Sequence, residues 1–175
     1  MDKVSAVELP RDLAKLSHPF PLFKVFVPTQ EKLRLLAERF RDNYLWISDE
    51  YRNKESIAAI LASDFLLDHF NVWYEMGDYD GLVGFLDIVP GHKCRLALKL
   101  WNPGIWKPST AKQGRALIKL IMDEFKLKRM ESDSADQKMV DMATKFFGFK
   151  KEGGRKYGFR WNGKFFSNIM LGLTR

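Results

Sequence analysis

Cysteine is nearly absent. The single thiol, Cys94, allows no internal disulfide, which fits a reducing cytoplasm. Histidine is almost as scarce. His18, His69 and His92 are scattered, and no group of His, Cys and Asp has metal-ligand spacing, so no metal is expected. His92 and Cys94 share a strand face by spacing, but nothing else supports a thiol mechanism. No apolar run reaches the length of a membrane span. The first ten residues lack the basic start and apolar stretch of a secretion signal. Repeats, low-complexity tracts and Gly/Ser linkers are missing too, which predicts one domain over 1–175.

What is present is bulk and positive charge. Apolar residues make up 46% of the 175, including 14 Phe and 5 Trp, enough for a packed core. The net charge of +7 attracts polyanions without choosing among them.

The periodicities predict a mixed α/β (α+β) fold. Residues 1–21 form an irregular arm interrupted by Pro10, Pro19 and Pro21. A strand is expected over 22–27. Thr29 then caps a helix to about 41, with Leu33, Leu36, Ala37 and Phe40 on one face. Ile57, Ile60, Leu61 and Phe65 predict a second helix over 53–68. Strands follow at 71–76, 82–89 and 92–101, joined by short turns, an antiparallel meander. Next come a loop over 102–108, a helix over 111–126 capped by Ser109 or Thr110, and a short strand at 130–134. A helix over 136–147 stops at Gly148. Last is a hairpin turning at Asn162-Gly163 and returning over 165–173. Alternation there sends Tyr157, Phe159 and Trp161 into the core. The cations Lys150, Lys151, Arg155, Lys156, Arg160 and Lys164 go to water, which disfavours a nucleic-acid partner.

Two stretches carry more than pattern. In Ser109-Thr110-Ala111-Lys112-Gln113-Gly114-Arg115-Ala116-Leu117, a small-residue pair, Gly114-x-Ala116, opens a helix. The first amides of a helix lack internal partners and, with the dipole, favour an anion. In Phe146-Phe147-Gly148-Phe149, followed by Lys151-Glu152-Gly153-Gly154, an aromatic helix end leads into a strand carrying Glu-Gly. Together with the element order, these stretches resemble the GNAT superfamily of N-acetyltransferases. Three positions depart from it. Ala111 stands where the family has Arg or Gln, Thr144 where it has a Tyr acid, and Gln137 where an Asn opens the helix. Such departures resemble divergent, often phage-encoded members.

The resemblance implies a largely antiparallel central sheet flanked by about four helices, with acetyl-CoA as cosubstrate. Lys112, Gln113, Gly114, Arg115 and Ala116 would hold its diphosphate. Backbone groups of Leu98, Leu100 and Trp101 would hold its pantetheine arm. Glu75, Asp87 and Glu50 are the candidate bases, with Asp87 first because it interrupts an apolar run. Thr144 stands in the acid's place. The acceptor is an amine of a small molecule or protein, its pocket set by 43–53 and 151–164, with Tyr44, Trp46 and Tyr51 as candidate lining. The departures leave open a binding module without turnover, and a homodimer is also left open.

Overall fold

The computed structural model describes residues 16, 20–42 and 71–175. The expected helix over 53–68, nearly all of the arm, and Glu50, Tyr44, Trp46 and Tyr51 lie outside the described residues.

The described chain builds β1 (Phe23–Val25), α1 (Gln30–Asp42), β2 (Val72–Met76), β3 (Gly81–Val89) and β4 (Lys93–Leu100). A 3-10 turn (Pro103–Ile105) leads to α2 (Pro108–Glu124). Then come β5 (Arg129–Ser134), α3 (Gln137–Phe147), β6 (Lys150–Trp161) and β7 (Lys164–Thr174). All seven strands form one sheet in the order β1-β2-β3-β4-β5-β7-β6. Neighbours are antiparallel except β4 and β5, which run parallel. This is the mixed, largely antiparallel sheet that the element order predicts.

Alternation along the strands feeds two cores. Tyr74, Met76, Val83, Phe85 and Met130 face one side and pack with Leu117 and Ile121 of α2 and Val140 of α3. Trp73, Leu82 and Leu86 face the other and pack with Leu36 of α1. Full burial of each such side chain is worth about 1.5–3 kcal/mol. The Trp73 ring lies flat on Gly84, where a Cβ would sit 2.5 Å from it. The Tyr74 hydroxyl donates to the Leu16 carbonyl at 3.1 Å, tying one residue of the arm to the core.

Two local predictions need correction. α2 starts at Pro108, three residues before the expected start, with Lys107 as N-cap and proline at the first helical position. The hairpin aromatics do not enter the core. Tyr157 is 74% and Phe165 58% exposed, and Phe159 and Trp161 are half-buried outside both core clusters. The cause is topological. β5 pairs with β7 only as far as Ser134 opposite Ile169, so the hairpin from 155 to 168 runs on past the end of β5. The turn itself forms as predicted, with Asn162 and Gly163 both at positive φ.

Candidate active site

β4 and β5 pair at Lys93–Arg129, Cys94–Met130 and Arg95–Glu131, and no further. At that point the Ser132 hydroxyl donates to the Leu96 carbonyl at 3.0 Å, bridging the strands where they part. Beyond it β4 continues to Leu100 and β5 to Ser134 with a gap between them. Since Leu96 aims its carbonyl at β5, the two-residue repeat aims the peptide groups of Leu98 and Leu100 into the same gap. Trp101 differs. Its N–H donates to the Asp80 carbonyl at 2.8 Å, on the β3 side.

β4 then leads into the start of α2. Lys107, Pro108 and Ser109 are exposed there. Thr110 is buried, and its hydroxyl donates to the Ile105 carbonyl at 2.6 Å, clamping the 3-10 turn to the helix. The Ala111 N–H already bonds to the Lys107 carbonyl at 3.1 Å, so the helical ladder is running by that residue. The amides that lack a helical partner therefore precede Ala111.

The residues expected at a diphosphate lie about a turn further along α2. The backbone of Lys112, Gln113, Gly114, Arg115 and Ala116 lies inside the helix. Gln113 accepts the Leu22 N–H at 3.1 Å, tying α2 to β1. Arg115 donates to the Phe146 carbonyl at 3.0 Å, capping the end of α3. Gly114 is small to admit Phe147, whose ring would lie 2.8 Å from a Cβ there. Lys112 and Ala116 are exposed. The exposed helix start at Lys107-Pro108-Ser109 was not expected from the sequence, although Pro108 is itself a helix-start signal.

Between α2 and the sheet lies an apolar cavity of about 30 Å³, bordered by Leu96, Leu98, Trp106, Leu117 and Phe147. Trp106 and Phe147 meet edge-to-face at 5.6 Å.

The candidate acid and bases are spread out. The Thr144 hydroxyl lies 3.0 Å from the Val140 carbonyl and 3.1 Å from that of Asp141, so its one proton is held by its own helix. Asp87 is exposed in a β3 bulge, at φ +52° and beside Arg95 at 3.4 Å. The bulge turns its side chain to water, which explains a carboxylate in an apolar run. It stands level with Arg95, at the closed end of the gap. Glu75 stands level with Lys99 at the open end but two strands from β5's side of β4, roughly 10 Å from β4. Its carboxylate meets Lys32 at 3.1 Å. Burial works against the Lys32 charge, but Glu75 and Tyr79 outweigh it and raise the lysine's pKa.

One further carboxylate lies on a strand that borders the gap. Asp133 is two residues past the last β4–β5 pair, exposed, and accepts from Asn168 at 2.7 Å. Nothing in its short local pattern distinguishes it; only the parting of the strands does. Cys94 is buried, and burial with Glu131 nearby pushes its thiol up to about 12, which removes it as a nucleophile. Among the described residues no group of three or more His, Cys, Asp or Glu could hold a metal ion. None of their helices is long and apolar enough to cross a membrane.

A sheet that splits between two parallel strands beside a helix start defines the GNAT fold, and this chain has it. The spermidine N-acetyltransferase SpeG of Vibrio cholerae, as a single-residue mutant, superposes with a TM-score of 0.66 at 16% identity. The match covers 88% of this chain and 94% of that one. The same enzyme in complex with CoA and spermine gives 0.64 at 14% identity, over 88% and 96%. RimL, a ribosomal L7/L12 alpha-N-protein acetyltransferase in complex with coenzyme A, gives 0.67 at 14%, over 87% and 94%. No family model and no curated protein matches the sequence.

Proposed function

We propose that this chain is an N-acetyltransferase that uses acetyl-CoA to acetylate a primary amine of a small molecule or protein. The observation that carries the reading is the gap between β4 and β5 beside the exposed start of α2. The residues there fit the cosubstrate. Peptide groups of Leu98 and Leu100 suit the amides of a pantetheine arm. The amides of Ser109 and Thr110, the helix dipole and Lys107 suit its diphosphate.

The chemistry follows from position. The amine nitrogen forms a bond to the thioester carbonyl carbon, the carbon–sulfur bond breaks, and the thiolate leaves. Holding both partners in line supplies much of the rate. The amine must shed a proton, and we assign its removal to Asp133, the exposed carboxylate two residues past the last β4–β5 pair on the strand that borders the gap. With the Thr144 proton committed to its helix, the thiolate takes its proton from water.

A second reading is favoured by Thr144 alone: a module that binds CoA without turnover. One pair of measurements separates the two. CoA at a hundredfold excess over its Kd stabilises the native state by about 2.7 kcal/mol, so the melting temperature rises in both cases. Thiol release from acetyl-CoA across a panel of amines occurs only in the first. No melting shift at millimolar CoA removes both.

A further inference from the structure

We propose that the β6–β7 hairpin is a binding surface for single-stranded nucleic acid. The alternation that would bury its aromatics does not operate beyond Ile169, where β5 ends. Tyr157 is held out by a bulge at φ +54°, 74% exposed, and meets Phe165 edge-to-face at 6.0 Å. The Arg160 guanidinium lies 5.6 Å from the Phe165 ring centre. On the opposite face of the hairpin, where the register sets Phe166 against Phe159, Phe166 is also exposed and pairs with Trp161 at 6.1 Å, so a bound strand would wrap the hairpin rather than lie on one face.

Around these rings the charge has one sign. Arg155, Lys156, Arg160 and Lys164 are exposed beside them, and Lys150 and Lys151 are exposed further down, at the base of the hairpin opposite Gly172 and Leu171. The single acid of the hairpin, Glu152, is already engaged by Arg129. Exposed rings interleaved with cations suit a strand whose bases stack while its phosphates are neutralised. An acidic polypeptide would use the charges and leave the rings without a role. A second copy would set six cations against six, and that like-charge repulsion disfavours pairing through this face.

The test is fluorescence anisotropy of the full chain with a labelled single strand of about 16 nucleotides, a duplex of equal length, and polyglutamate. The single strand should bind most tightly, with affinity falling steeply as salt rises. Tyr157→Ala and Phe165→Ala should each weaken it about fivefold or more, leaving the salt slope unchanged. Lys156→Gln and Lys164→Gln should each flatten that slope, by roughly 0.7 for every phosphate no longer neutralised. Both rings are exposed, so these variants should keep the wild-type melting temperature and its response to CoA.

Absence of binding overturns the proposal. So does equal affinity for duplex or polyglutamate, or single-strand affinity that survives loss of both rings. A dimer that dissociates in the two ring variants overturns it as well, by assigning the face to a second copy. None of these outcomes touches the acetyltransferase reading, whose own failure would appear in the CoA melt.

Discussion

At the residue scale, several side chains that look chemical make structural contacts. Gly114 resembles part of a phosphate motif, yet its hydrogen makes room for Phe147. Gly114→Ala gains about 1 kcal/mol of helix propensity but forces the ring aside, an overpacking cost of about 1–3 kcal/mol. The expected net is a loss, read by urea unfolding. Phe147→Leu should reduce that loss in a double-mutant cycle. If Gly114→Ala keeps full stability but loses CoA binding, the glycine serves the ligand after all. Carboxylates separate in the same way. Asp133→Asn should lower kcat by about 10²- to 10⁴-fold, with the acidic limb of the pH–rate profile removed. Asp87→Asn, at the closed end of the gap, should leave kcat unchanged. Equal effects, or the opposite order, would show that the base is misassigned.

At the element scale, much was legible in the sequence. The meander from β2 to β4 could be read from its period and turns. So could the stop of α3 at Gly148 and the turn at Asn162-Gly163, because each is fixed by residues within a few positions. What could not be read depends on where strands end relative to one another. The gap exists because β5 pairs with β4 at three positions only, and the hairpin is exposed because β7 outruns β5. No local pattern records either. The α2 start was misread because Ser109 and Thr110 are good caps, while Pro108 and the Thr110–Ile105 clamp set the boundary one turn earlier.

The strands' outer ends carry a testable ionic feature. Arg129 joins Glu131 at 2.9 Å and Glu152, linking β5 to β6. Its guanidinium holds both carboxyls below the usual carboxylate range, with Lys93 helping at Glu131. Folded-state values below the unfolded value near 4.3 mean the contribution is full above that pH. It is lost as pH falls through the folded values. Stability should therefore drop more steeply below about pH 5 in the wild type than in Arg129→Ala, followed by thermal melts across the acid range. Parallel curves would deny the network a role.

At the scale of the whole molecule, charge bears on the acceptor. A chain of net charge +7, with an exposed basic hairpin, repels a polycation and attracts an anionic surface. Compared at low salt, a peptide with a free amino terminus and acidic residues should give a higher kcat/KM than spermidine, and the advantage should shrink as salt rises. A preference for spermidine that is indifferent to salt would show that the hairpin field does not reach the acceptor.

The claim on which the rest depends is that CoA enters where β4 and β5 part and sets its diphosphate on the first amides of α2. Titration of the labelled chain with CoA, followed by amide NMR, reads this residue by residue. The account predicts the largest shifts at Leu98, Leu100, Ser109 and Thr110, with the amides of Gln113 to Ala116 moving little. Millimolar CoA that leaves those four amides unmoved, or shifts centred elsewhere on the chain, would contradict it.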